Sequence, residues 1–203
     1  MRRSIWLTLG VFFAVATVAL TGCSSPLARP EPTVVVGTGQ STLGRVVSAI
    51  YLGALAHTGV TVAASAAEDQ SALMRGLSDG SVDLVAGFSG EFLHQLVPQS
   101  TAVSSDDVYT ELNRALPQGI YAGDMTPVTA NAVAGKPEDD AVAAQVLLPL
   151  YRGAVFPKKA IVGMNNVAGE LTSADLAALI SAVDQGRQTP AGSASGWLAD
   201  HGL

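Results

Sequence analysis

From Thr33 to Ala86 the chain switches back and forth between two hydrophobic periods, and this alternation limits the fold more than any other feature. Thr33 to Val36 is a short β-branched run. Leu43, Val46, Val47, Ile50, Tyr51, Ala54 and Leu55 then recur at helical spacing until His57-Thr58-Gly59 ends the stripe. Val60 to Ala64 alternates like a strand, and Glu68 to Leu77 carries a second helical stripe. After the turn Ser78-Asp79-Gly80, Val82 to Ala86 reads as a buried strand. A β-α-β-α-β succession predicts a parallel or mixed sheet covered by helices, so the expected class is α/β.

The first strand-to-helix junction, Gly37-Thr38-Gly39-Gln40-Ser41-Thr42-Leu43-Gly44-Arg45, is glycine-rich and has the setting of a phosphate cradle. Two nucleotide patterns each lack a working part there. P-loop spacing runs from Gly39 to Gly44, but Arg45 and Val46 stand where the phosphate-reaching lysine and the magnesium-holding hydroxyl belong. The dinucleotide fingerprint begins at Gly37 and Gly39 but has Thr42 where the third glycine admits close helix packing.

The N-terminus removes nucleotides further. Arg2 and Arg3 precede the apolar run Ile5 to Leu20, which closes on Leu20-Thr21-Gly22-Cys23. A positive start, a short apolar stretch and small residues before the cut predict a signal peptide over residues 1–22, and its ending resembles a bacterial lipobox. The run is at the short end for a hydrocarbon core of about 30 Å, which sets a transmembrane helix second. Cys23 is the only cysteine, which excludes an internal disulfide, and it is the expected lipidation site. Several acyl chains there, palmitate among them, would anchor the chain firmly to the cell membrane on its extracytoplasmic face. Residues 23–32, with three prolines, read as a tether.

Residues 33–203 are long enough for a sizeable core in one domain. Losing residues 1–22 takes away two arginines and no acids, so the net charge moves from −6 to −8. With no Lys/Arg cluster on an acidic chain, nucleic acid is excluded as a partner.

Ser104 with Asp107 resembles a capping box opening a helix from Asp106 to Leu116, which Pro117 stops. Ile120 to Ala122 and Val128 to Val133 are expected strands, Gly135 to Asp140 a polar break, and Val146 to Leu150 a further apolar run. The remainder is helical: Lys158 to Val167, then a helix from the capping pair Thr172 and Asp175 to Gln185 with Gly186 at its C-cap, then a short helix carrying Trp197 and Leu198.

Two stretches, Val36-Gly37-Thr38-Gly39-Gln40-Ser41-Thr42 and Gly76-Leu77-Ser78-Asp79-Gly80-Ser81-Val82-Asp83-Leu84, carry a family resemblance. With Tyr109 to Asn131 and the closing helices from Val167 to Leu203, they resemble the osmoprotectant-type substrate-binding lipoproteins of ABC importers. That family captures glycine betaine, choline, carnitine or proline betaine. The resemblance implies a type II periplasmic-binding-protein fold, a zwitterionic or quaternary ammonium solute, an ABC permease as partner, and no cofactor. It places Thr38, Gln40, Ser41 and Thr42 of the first loop, and Phe88, Ser89 and Gly90 of the second, at the ligand cleft. Phe88 would offer a ring face to a cationic head group, and Tyr121 near the crossover is a further aromatic candidate. In the family a second lobe is inserted between the crossover strand and the return strand, and a lobe needs on the order of 100 residues. Here residues 135–145 are a remnant between 33–134 and 146–203, so one lobe with a mixed sheet flanked by helices is expected.

Other chemistries fit less well. Gly87-Phe88-Ser89-Gly90-Glu91 approaches a nucleophile elbow, but Glu91 stands where a small residue belongs, and His57, His94 and His201 offer no evident base. The separated histidines and lone cysteine form no metal motif. The expectation is a non-enzymatic solute-binding lipoprotein, with a non-transporting surface lipoprotein or scaffold of the same fold as the alternative.

Overall fold

The computed structural model describes residues 33–133 and 145–203. The expected signal peptide, the tether with Cys23 and residues 135–144 of the expected remnant lie outside the described residues.

β1 (Val34–Gly39) feeds α1 (Thr42–His57), which Ser41 caps by accepting the Gly44 N–H at 3.0 Å. The helix buries the stripe Val46, Val47, Ile50, Tyr51, Ala54 and Leu55. β2 (Val62–Glu68) and α2 (Gln70–Asp79) follow; Asp69 caps the start of α2, and Gly80 at φ 87° ends it in the left-handed region. β3 (Leu84–Phe88) completes the expected alternation. The strand expected at Val60 to Ala64 lies later, because Gly59 at φ 76° turns the chain and the pairing with β1 runs on to Gly39 opposite Glu68.

Two short helices, α3 (Ser89–Leu96) and α4 (Ser105–Ala115), precede β4 (Ile120–Ala122) and β5 (Thr126–Thr129). Instead of a strand reaching Val133, the chain turns into α5 (Ala130–Val133), whose first two residues are weak strand formers. β6 (Val146–Arg152), α6 (Lys158–Glu170), α7 (Ser173–Asp184) and α8 (Pro190–Asp200) close the chain. The Thr172–Asp175 capping box forms completely, and Gly186 sits at φ 66° just past α7.

The sheet is six-stranded and mixed, in the order β2-β1-β3-β6-β4, with β5 also pairing with β6. β1 is parallel to β2 and β3, while β6 runs antiparallel to β3, β4 and β5. Successive β6 residues face opposite sides, Leu147 into a core with α1, α6, α7 and α8, Leu148 into a core with α2, α3 and α4. This two-sided burial explains the unbroken apolar run Val146 to Leu150.

Only Val36 and Leu84 pair along β1 and β3, and Asp83 extends that junction. Its carboxylate accepts the Val35 N–H at 2.9 Å, its own N–H donates to the Val35 carbonyl at 2.8 Å, and Arg152 lies 3.8 Å away.

Candidate functional site

The carboxyl ends of β1, β2 and β3 lie along one edge of the sheet with the amino end of β6, since Gly39 pairs with Glu68 and Phe88 with Leu147. The first residues of α1, α2 and α3 therefore meet at this edge, each with N–H groups that have no partner inside the helix. Open α/β sheets bind ligands at this kind of crevice.

Close backbone approach shapes the first loop. A Cβ on Gly44 would lie 2.8 Å from the Gly39 Cα, so both glycines serve to bring strand and helix together. Thr38 donates its backbone N–H to the Ser65 hydroxyl at 3.0 Å, and its own Oγ1 is buried with no partner. The Gln40 side chain is exposed, its backbone N–H bonded to the Glu68 carbonyl at 3.1 Å and its carbonyl to the Arg45 guanidinium. Ser41 is occupied as the cap of α1, and the Thr42 hydroxyl donates to the Asp184 carboxylate at 2.6 Å.

The second loop is more enclosed. Phe88 is 5% exposed and packs in the core, its ring turned to apolar neighbours rather than to the edge. Ser89 has no exposed surface and its hydroxyl accepts the Val146 N–H at 3.3 Å. The Gln145 side chain lies against Gly90, so close that a Cβ there would sit 2.4 Å from its Cδ. Burial pushes the pKa of Glu91, on the first turn of α3, above the usual carboxylate value. The sequence reading missed Gln70, the first residue of α2, whose Nε2 is buried without a partner beside Gly87. A glutamine just after a helix cap was the available signal. It also missed Asp184, 142 residues from Thr42.

Thr38, Gln40, Ser41, Thr42, Ser89 and Gly90 thus share one edge, whereas Tyr121 does not. It pairs with Tyr151, which pairs with Leu84 at the opposite end of β3. There Tyr121, 54% exposed, sets its ring 6.1 Å from that of Tyr151 at a tilt of 32°, and Tyr151 meets Phe156 edge-on at 5.5 Å. Burial, and then the Asp124 charge, raise the Tyr151 pKa.

Ser89 is enclosed, and the histidines sit apart: His57 in the last turn of α1, His94 at the end of α3, and His201 stacked on Trp197 at 4.4 Å. No group of metal-ligating side chains occurs among the described residues. A groove of about 790 Å³ between α2 and α3, lined by Ser71, Met74, His94 and Leu96, lies off this edge and gathers no buried polar groups.

A family profile described as the substrate binding domain of an ABC-type glycine betaine transport system matches residues 32–144. The fold is similar to that of a crystal structure of a glycine betaine/carnitine/choline ABC transporter, with TM-score 0.69 at 9% identity, covering 84% of this chain and 98% of that one. It is also similar to apo YehZ from Escherichia coli, with TM-score 0.68 at 11% identity, covering 84% and 99%. No curated protein matches. The mixed sheet flanked by helices is of the type II periplasmic-binding-protein kind.

Proposed function

The chain belongs to the substrate-binding domains of ABC-type glycine betaine transport systems, and on that premise we propose that it is an extracytoplasmic lipoprotein, anchored through Cys23, that binds a betaine- or choline-like solute for an ABC permease. One observation carries the site: Thr38 Oγ1 and Gln70 Nε2 are both buried without partners, on elements that end or begin at the carboxyl edge of the sheet. Buried polar groups are nearly always paired, so such orphans mark a place where a partner is missing. Thr38, Gln40 and Gln70 have hydrogen-bonding capacity left for a ligand, as does Thr126 Oγ1, buried without a partner on β5 opposite Leu147, and the helix starts add N–H donors.

Only residues 134–145 separate α5 from β6, too few for a second lobe. The site is then a half-cleft, open to water on one side, and its affinity falls below that of a ligand buried between two lobes. Titration calorimetry with glycine betaine, choline, carnitine and proline tests this reading: saturable heat with one of them supports it, and no heat with any refutes it. A second reading, a non-transporting surface lipoprotein of the same fold, is favoured by the internal use of the Ser41, Thr42 and Ser89 hydroxyls. The absence of heat would support it.

A further inference from the structure

Most buried polar side chains among the described residues are paired. Ser48 donates to the Gly37 carbonyl at 2.7 Å, Asp83 accepts the Val35 N–H, Ser89 accepts the Val146 N–H and Ser193 donates to the Leu179 carbonyl at 3.4 Å. Thr126 is different. It has no exposed surface, and its Oγ1 has no hydrogen-bond partner. The same is true of Tyr51, on the buried stripe of α1, whose hydroxyl is enclosed and partnerless.

The two hydroxyls belong to one place. Thr126 stands opposite Leu147 on β6, and cross-strand partners share a face, so Thr126 turns to the core that Leu147 and Tyr51 occupy. Burial raises the Tyr51 pKa far above the usual tyrosine value, the Thr126 hydroxyl offsets part of that rise, and the Asp124 charge adds to it. Thr126 is thus within electrostatic reach of Tyr51, although the two share no hydrogen bond. Asp124 itself is exposed and acts from outside the core. Leu147 also pairs with Phe88, the last residue of β3, which sets the two hydroxyls beneath the carboxyl edge of the sheet.

We propose that the core between α1 and β5 holds one structural water molecule, hydrogen-bonded to both Tyr51 Oη and Thr126 Oγ1. Two hydroxyls left unpaired in an apolar core are costly, and buried waters characteristically satisfy such groups. Water fits because it donates and accepts at once, as both hydroxyls do. A cation would need a carboxylate beside it, and an apolar molecule would leave both oxygens unpaired. Held in this way, β5 is tied to α1, the helix that opens at the first ligand loop, and a solute at the edge reaches Thr126 through the water. The water site itself does not depend on the solute-binding reading.

Two measurements test it. A high-resolution crystal structure of the full chain is expected to show a density peak within about 3.2 Å of both oxygens, and the Tyr51→Phe/Thr126→Val double variant is expected to show none. No peak in the wild type, or the two hydroxyls bonded directly to each other, overturns the proposal. In thermal unfolding of the full chain in mild detergent, Tyr51→Phe and Thr126→Val each remove one partner of the water and should lower the melting point by about 2–4 °C. The double variant leaves no hydroxyl to satisfy and should recover part of the summed loss. A single variant that melts above wild type, as it would if the hydroxyls were truly unpaired, or losses that simply add, also overturns the proposal. Should the double variant fail to fold, the wild-type density decides the matter alone.

Discussion

Replacing Gly44 with alanine sets two opposed effects against each other, and the structure decides which is larger. Gly44 is the third residue of α1, where alanine is favoured over glycine by up to about 1 kcal/mol. The new Cβ, however, would lie 2.8 Å from the Gly39 Cα and 3.2 Å from the Gly39 carbonyl carbon and the Ser41 Oγ. Two of these are backbone atoms of β1, so no rotamer change relieves the contact and the helix must move off the strand. Overpacking of this kind costs about 1–3 kcal/mol, which exceeds the propensity gain. Gly196, in α8, is the matched control, because a Cβ there meets nothing within 4 Å. Gly196→Ala should stabilise by about 0.5–1 kcal/mol, while Gly44→Ala should destabilise by about 1 kcal/mol. In thermal unfolding the two melting points should fall on opposite sides of wild type, each displaced by about 2–4 °C. A Gly44→Ala protein as stable as Gly196→Ala would refute the claim that strand and helix touch here, and the geometry of the ligand loop with it.

Asp83→Ala leaves the Val35 N–H without an acceptor at a site only 7% exposed, and should cost about 1–3 kcal/mol in denaturant unfolding. Arg152→Ala removes only the half-exposed partner and should cost under about 1 kcal/mol in the same assay. Leu198→Ala empties a buried contact between α8 and Gly53 and should cost about 2–5 kcal/mol. Bonds from Thr172 hold the Asp175 carboxyl below its usual pKa, so its contribution is full above the unfolded-state value of about 4 and is lost as pH falls through the lower folded value. Asp175→Asn should therefore flatten the loss of melting temperature on acidification below about pH 4. Tyr121→Ala should leave solute affinity unchanged by calorimetry, because Tyr121 lies at the far end of the sheet.

The layered α/β fold was legible because each helix turns one stripe to a core and so keeps a clean period, while the central strands, buried on both faces, show as short unbroken apolar runs. The Val46-to-Leu55 stripe and the Thr172–Asp175 capping pair placed α1 and α7 to within a residue or two. One helix had no expected counterpart. Ser89 to Leu96 forms a helix despite Gly90 in its first turn, since its Phe92 and Leu93 pack against the sheet, a tertiary effect that no local propensity announces. The candidate site was legible as loops but not as chemistry. Glycines resembling a phosphate cradle turned out to permit the contact of Gly39 with Gly44, and Phe88 reads equally well as ligand ring or core. Asp184 could not be found from sequence, because only the folded chain sets α7 beside the start of α1.

The claim that this edge holds the ligand is tested most directly by amide chemical-shift mapping during titration of the isotopically labelled protein with choline. The account predicts shifts that saturate together at Thr38, Gln40, Thr42, Gly44 and Gln70, with Tyr121 and Ala122 unmoved. Saturable shifts centred on Tyr121, Tyr151 and Asp124 instead, with the loop amides silent, would contradict it.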